Sequence, residues 1–179
     1  LRTTDGGATW SAEPAGTNAI RDRVSCADTL NGYACGTKQA FYPMIAWTHD
    51  GGVNWVIKQN LGMYRFHDVE ALDAQTAIVT GETWVFRTTD GGSSWSMFAP
   101  QPYGDWWGID FVDTNTGWMA GRAVMRSDDG GATWAQIWSG TTEFFDVSFA
   151  DVSTGWMVGE GGAVQKTVDG GFNWTPQTV

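Results

Sequence analysis

Positive charge is scarce in this chain. Ten lysines and arginines stand against twenty aspartates and glutamates, for a formal net charge of −10, which excludes a nucleic-acid backbone as partner because that needs a basic footprint. Two histidines and two cysteines are too few for a dedicated metal-ligand cluster, and no metal ion or other cofactor is expected. Five prolines are too few for a low-complexity linker. No run of about 18 apolar residues exists, so no membrane-spanning helix is expected, and helical periodicity is absent throughout. There is no nucleophile elbow and no phosphate loop, since the recurrent Gly-Gly pairs sit between apolar runs of a hairpin rather than between a strand and a helix.

What the chain has is repetition. "RTTDGGATW" near the start returns as "THDGGVNW", "TTDGGSSW", "SDDGGATW" and "KTVDGGFNW", and the steps between the closing tryptophans Trp10, Trp55, Trp95, Trp134 and Trp174 are 45, 40, 39 and 40 residues. Self-similarity at that period marks propellers, solenoids or arrays. A second phrase lies within each period: "RVSCADTLNGYACG" from Arg23, "DVEALDAQTAIVTG" from Asp68, "GIDFVDTNTGWMAG" from Gly108 and "DVSFADVSTGWMVG" from Asp146. Each alternates apolar and polar residues, breaks at a turn and resumes until a glycine, as a β-hairpin does. A third run leads into the Asp-Gly-Gly turn and a fourth opens at the tryptophan. Each repeat therefore reads as four short antiparallel strands, A to D.

Units of this kind are propeller blades. The expected fold is all-β, a propeller segment in which residues 1–179 form one domain, with blades at about 1–16 (a half blade of strands C and D), 17–61, 62–101, 102–140 and 141–179. Four and a half blades imply a segment of a longer chain with the missing blades upstream; an open arc and a ring closed by a second copy are the alternatives. Cys26 and Cys35 lie on strands A and B about the "DTLN" turn, either opposed in a disulfide, which would suit an oxidising compartment, or two small buried thiols.

In the repeated turn the aspartates Asp5, Asp50, Asp90, Asp129 and Asp169 can accept bonds from turn amides, the glycines supply positive φ, and the five tryptophans can pack back on the hairpin. A feature repeated at every blade reads as structure rather than as a site. Calcium at Asp128 and Asp129 would want six to eight oxygens. The phrase resembles the Asp box, or bacterial neuraminidase repeat, of sialidases, xyloglucanase-type glycosidases and sortilin-type receptors. The wider pattern "GWMVGEGGAVQKTVDGGFNW" is similar to the repeat of the photosystem II stability and assembly factor family and its bacterial relatives, over essentially the whole chain. That resemblance implies a seven-bladed propeller, usually exported, that binds proteins and has no known catalytic residues. An extracytoplasmic location is expected from it. The family's basic positions on strand C fall on Arg2, Arg87, Arg126 and Lys166, with Trp47 in the second blade; they either meet a partner or cover apolar neighbours and pair with strand-B or strand-D carboxylates.

Function is expected on the opposite face, built from the B-to-C and D-to-A loops. The D-to-A loops lead into strand A through Phe66 with His67, Trp106 with Trp107 and Phe144 with Phe145, and strand alternation packs the first of each pair between blades and leaves the second available. Phe41, Tyr42, Met44, Glu82, Trp84, Arg122 and Glu160 come from B-to-C loops, with Tyr103 and Asp105 nearby. The binding residues singled out are Tyr42, His67, Glu82, Trp84, Trp107, Arg122, Phe145 and Glu160. Aromatic rings beside carboxylates and an arginine suit a protein partner first and a glycan as the alternative. No catalytic residue is assigned. A sialidase-like cluster would draw on Arg21, Arg65 and Arg122, and an inverting pair, about 6.5 to 9.5 Å apart, on Asp22, Glu82, Asp105, Glu143 and Glu160, but no spacing singles out a pair.

Overall fold

The computed structural model describes residues 1–12, 19–38, 42–58, 65–102 and 104–178. Apolar runs of three to eight residues separated by Asp- and Gly-rich turns leave no stretch for a helix, and the described residues form four antiparallel sheets of four strands each. The first holds β1 (Ala19–Cys26), β2 (Gly32–Lys38), β3 (Tyr42–Thr48) and β4 (Val56–Lys58); the second β5 (Phe66–Ala71), β6 (Ala77–Gly81), β7 (Val85–Thr88) and β8 (Ser96–Phe98). The third holds β9 (Gly108–Phe111), β10 (Gly117–Ala120), β11 (Ala123–Ser127) and β12 (Ala135–Ser139); the fourth β13 (Phe144–Phe149), β14 (Gly155–Gly159), β15 (Ala163–Thr167) and β16 (Thr175–Pro176). Strand order in space follows order in sequence, so every sheet is a meander. Ahead of them, Arg2 and Ser11 form an isolated antiparallel bridge.

The first strands of neighbouring sheets, β1, β5, β9 and β13, lie next to one another in sequence order. The sheets thus stack as blades, and the core is the set of layers between them. One layer joins Tyr33, Cys35 and Ile45 to Phe66, Val69 and Phe86; the next joins Ile78 and Val85 to Trp106, Ile109 and Met119; the third joins Trp118 and Val124 to Phe144, Val147 and Met157. The second strands β6 and β10 are buried along their whole length. A strand covered on both faces reads as a continuous apolar run rather than an alternating one, which is why "AIVTG" and "GWMA" look as they do.

The cysteines do not pair. The turn bond from Ala27 N–H to the Asn31 carbonyl sets Cys26 opposite Gly32 and Cys35 opposite Arg23. Gly32 and Cys35 are three residues apart on one strand, so their side-chain positions face opposite sides of the pleat. Both thiols are free, Cys35 fully buried and Cys26 exposed. The disulfide alternative is therefore overturned, and so is the burial of Cys26.

Candidate functional site

The Asp-Gly-Gly turns repeat one geometry five times. In the second of them, the Thr48 hydroxyl donates to Asp50 Oδ1 (2.8 Å) and accepts from Gly52 N–H (3.0 Å), Asn54 N–H donates to Asp50 Oδ1 (2.9 Å), Asn54 Nδ2 donates to Asp50 Oδ2 (2.7 Å), and Trp55 Nε1 donates to the Gly52 carbonyl (3.1 Å). Both carboxylate oxygens are consumed inside the turn. Thr9, Ser94, Thr133 and Asn173 repeat the Asn54 role. The residue before each tryptophan is thus always a hydroxyl or an amide, a signal present in the sequence but missed when that position is read as variable. Paired glycines at positive φ, such as Gly51 (70°) and Gly52 (86°), let the turn fold back. Asp128 is bound to Arg126 (2.7 Å), and no group of three or more His, Cys, Asp or Glu among the described residues is placed to hold a metal ion.

The same turns link the sheets. Gly51, Gly91, Gly130 and Gly170 each donate an N–H to the A-to-B turn of their own sheet, at Leu30, Gln75, Asn115 and Ser153. From the preceding sheet, Arg87 Nε donates to the Gly130 carbonyl (2.9 Å) and Trp118 Nε1 to the Gly170 carbonyl (2.8 Å). Arg126 lies against Gly170 and over the Trp118 ring, and Arg2 lies against Gly51. Where Trp47 replaces the basic residue, its ring packs on Gly92 and His49 Nε2 meets the Gly91 carbonyl (2.9 Å). Lys166 sits over the Trp156 ring at 5.1 Å. For Arg87 the acceptor is therefore a backbone carbonyl of the next sheet, where the sequence suggested a strand-B or strand-D carboxylate.

The opposite face gathers aromatic side chains. Phe66, Trp106 and Phe144 are buried between sheets, while His67 and Trp107 are half-buried and Phe145 is 46% exposed. The His67 ring stacks on Trp107 at 3.8 Å between centroids, and Phe145 meets Trp107 edge-on at 5.9 Å. Trp107 Nε1 donates to Glu143 Oε1 (3.0 Å). These three come from successive sheets because the first residues of β5 and β13 and the segment leading into β9 share one register. Backbone bonds fix that register: Trp106 N–H donates to the Gly81 carbonyl and Phe144 N–H to that of Gly121. A Cβ on Gly81, Gly121 or Gly159 would fall within 2.2 Å of the carbonyl oxygen of Arg65, Asp105 or Glu143, so only glycine permits this approach.

Around the aromatic trio, Glu82 and Asp105 pair as an isolated bridge, and Arg65 Nε lies 3.9 Å from Glu82. Between Glu82 and Trp84, Thr83 holds φ at 62°, a left-handed conformation that β-branched residues rarely adopt and that costs about 1–3 kcal/mol. Burial holds the His67 imidazole below its usual pKa despite Asp105 and Glu82 nearby. His67 Nε2 and Trp106 Nε1 are buried and find no hydrogen-bond partner among the described residues. Arg122 and Glu160 are exposed at B-to-C turns, and Tyr42 is 56% exposed at the start of β3. Two expectations need correction: Met44 is fully buried within β3, and Trp84 packs against the first core layer. Phe41, Tyr103 and the side chains of Arg21 and Asp22 lie outside the described residues.

A pocket of about 230 Å³ opens on this face, walled by Pro102, Gly104, Trp106, Arg122, Ser139 and Gly140. A second cavity, about 510 Å³, is lined by Leu1, Trp10, Trp55, Arg23, Val24 and Cys26 among others. None of the aromatic trio lines it.

No protein-family model matches the chain, and no curated protein matches it in sequence. Solved structures do. The YCF48 structure bound to a D1 peptide aligns over 90% of this chain and 83% of its own, at TM-score 0.56 and 18% identity. YCF48 from Cyanidioschyzon merolae aligns over 96% of this chain at TM-score 0.70 and 20% identity, and a GH74 enzyme from Niastella koreensis over 87% at 0.67 and 15%. The fold is a β-propeller. This chain spans 60% of the length of the Cyanidioschyzon protein and 30% of the Niastella enzyme. At such identities the propeller likeness is one of fold.

Proposed function

We propose that the chain is a protein-binding propeller module that takes a peptide segment of its partner on the face carrying His67, Trp107 and Phe145. The observation that carries this reading is the trio itself: three rings from three successive blades, held in register by backbone bonds and partly open to solvent. Partly exposed aromatics on a rigid scaffold are the usual anchors of binding hot spots. Thr83 in a strained conformation beside them, and His67 Nε2 without a partner, fit a face completed by a ligand. One of the propellers it resembles was solved with a bound peptide, which supports the same reading. Tyr42, Glu82, Arg122 and Glu160 are assigned to the rim. Likeness to the photosystem II assembly factor family also supports an extracytoplasmic setting. Among the described residues no helix is long and apolar enough to cross a membrane.

A glycan is the second reading, favoured by the GH74 likeness and by rings beside carboxylates. His67 already covers one face of the Trp107 indole, which leaves less open ring for a sugar. The test is selection from a displayed peptide library alongside a glycan array, each with the native chain and a folded Trp107→Ala variant. Peptides should be enriched, and their affinity should fall by about 30-fold or more in the variant, as for a hot-spot aromatic. Retention on glycans only, abolished by the same substitution, would replace the protein partner with a carbohydrate.

A further inference from the structure

The first strand of each sheet carries one apolar residue at the same position of the repeat: Val24, Val69, Ile109 and Val147. The last three are 2%, 5% and 3% exposed, whereas Val24 is 65% exposed. The difference lies in what precedes each sheet. Val69 shares a core layer with Tyr33 and Cys35 of β2, Ile109 with Ile78 of β6, and Val147 with Trp118 and Ala120 of β10. The turn glycines divide in the same way. Gly131 meets Ile78 and Gly171 meets Trp118, both second-strand side chains of the preceding sheet, while the nearest side chains to Gly52 are Trp55 of its own turn and Arg2. Arg2 makes the third-strand contact that Arg126 makes with Gly170, and no second-strand contact accompanies it among the described residues. Trp134 and Trp174 meet Phe111 and Phe149 of their own first strands edge-on, but Trp10 is 59% exposed. The 510 Å³ cavity coincides with these differences: Leu1, Thr3, Trp10, Val24, Cys26 and Gly52 all line it. Arg2 exchanges both of its backbone bonds with Ser11 (2.9 and 2.8 Å). In an antiparallel ladder the residues on either side then turn their N–H and C=O groups to the opposite edge, and no strand pairs with that edge among the described residues.

We infer that this cavity is the seat of a β-hairpin with the chemistry of the chain's own repeat, whose second strand pairs with residues 1–4 and whose side chains cover Val24 and Gly52. The open edge supplies the main-chain half of such a contact, as in strand addition to a sheet, and the cavity supplies the side-chain half. Register in the four complete sheets specifies the occupant. The residue facing Thr48, Thr88, Ser127 or Thr167 is Gly32, Ala77, Gly117 or Gly155, and the residue facing Trp47, Arg87, Arg126 or Lys166 is Tyr33, Ile78, Trp118 or Trp156. Thr3 and Arg2 hold these two positions in the repeat. The bound strand therefore places a small residue opposite Thr3 and a large apolar or aromatic one opposite Arg2. A tryptophan there would reach the Gly51 carbonyl with its indole N–H, as Trp118 reaches that of Gly170. The first strand of the hairpin lies beside β1, as β1 lies beside β5. Filling the seat turns the Arg2–Ser11 bridge into a further four-stranded sheet. The seat is separate from the aromatic face, none of whose three rings lines the cavity.

The probe is a synthetic peptide with the sequence of residues 146–159, "DVSFADVSTGWMVG", added to the full chain and followed by calorimetry and by the rate at which Ellman's reagent labels Cys26. The peptide should bind saturably at one per chain. At about ten times its Kd it should slow the labelling by about tenfold, because Cys26 lines the seat. The peptide with Trp156→Ala should bind at least about tenfold more weakly, and a scrambled peptide should not bind. Val24→Asp in the chain, a substitution at an exposed position, should leave the urea midpoint of the free chain unchanged and weaken the peptide by about tenfold or more. Light scattering of the chain alone tests the competing occupant, a second copy. Absence of saturable binding, equal binding by the scrambled peptide, unchanged Cys26 labelling, or full affinity for the Val24→Asp chain would each overturn the seat. A chain that is already dimeric, with Cys26 protected and released on dilution, would assign the surface to the second copy instead of a hairpin.

Discussion

Trp118 shows what single residues contribute to this molecule. Its ring is fully buried, stacked on Phe149 at 3.6 Å, and its Nε1 donates to the Gly170 carbonyl one repeat away (2.8 Å). Trp118→Phe keeps an aromatic ring but strands that carbonyl and leaves a void, so the variant should lose about 2 kcal/mol in urea denaturation, with the slope of the transition unchanged. A loss under about 0.5 kcal/mol would mean that the bond between sheets contributes little. The period of the sequence already marked such positions, including the strand-C row of Arg2, Arg87, Arg126 and Lys166. What these side chains bond was not legible, because for Arg87 the acceptor is a backbone carbonyl 43 residues away, and a carbonyl is carried by every residue type. The unpaired Trp106 N–H was equally hidden: an indole in a sequence does not reveal whether its donor is satisfied.

At the scale of the strand and hairpin, side-chain size sets the pairing. Phe111 on β9 faces Gly117 on β10, and Phe149 on β13 faces Gly155 on β14; in the second sheet the same pair is Ala71 and Ala77. A Cβ at Gly117 would lie 2.4 Å from the Phe111 ring. Gly117→Ala should therefore cost about 1–3 kcal/mol of stability, and the same change made in a Phe111→Ala background should cost distinctly less, a coupling that a double-mutant cycle measures. Additive effects would show that the ring moves aside freely. Strand existence, hairpin length and meander order were all readable from alternation and turn residues. Cysteine pairing was not, since register slips by a residue without changing composition. With Cys26 exposed and Cys35 buried, Ellman's reagent should label one thiol in the native chain and a second only after denaturation. Partial desolvation of the sulfur by its neighbours, with the charge of Asp28 adding to it, raises the Cys26 pKa although the residue is exposed, so labelling should be slow at neutral pH. A native chain with no titratable thiol after unfolding without reductant would restore the disulfide.

Across the whole molecule, two sets of carboxylates pull stability in opposite directions with pH. The inner strands are tied by side chains as well as by packing: Ala71 N–H donates to the Ser25 hydroxyl (3.0 Å), Ile109 N–H to Asp68 Oδ2 (3.2 Å) and Phe149 N–H to Asp110 Oδ2. This arrangement brings Asp68, Glu70, Asp110 and Asp146 together, with Arg23 3.9 Å from Asp68 and the Ser25 hydroxyl on Glu70. Burial first, then the neighbouring carboxylates, raises Asp68 from 3.8 to about 6 and Glu70 from 4.5 to about 7. The folded chain holds these protons more tightly than the unfolded chain, so stability falls as pH rises from about 4 through 7. In the turns the order is reversed. Hydrogen bonds from Thr9, Asn54 and Ser153 hold Asp5, Asp50 and Asp151 at about 2, and the stability they add, present above the unfolded pKa, is lost as pH drops from about 4 toward 2. The stability maximum should therefore fall on the acidic side, near pH 4 to 5, rather than at neutrality. Glu70→Gln removes one of the raised carboxyl groups and keeps an acceptor for Ser25. Thermal and urea unfolding at pH 4, 6 and 8 should show the variant level with the native chain at pH 4 and more stable by about 1–2 kcal/mol at pH 8, after allowance for solvent screening. A variant that is less stable at pH 8 than at pH 4 relative to the native chain would mean that the ionised Glu70 is held by a favourable partner in the inner strand row, and that this row is not a source of repulsion.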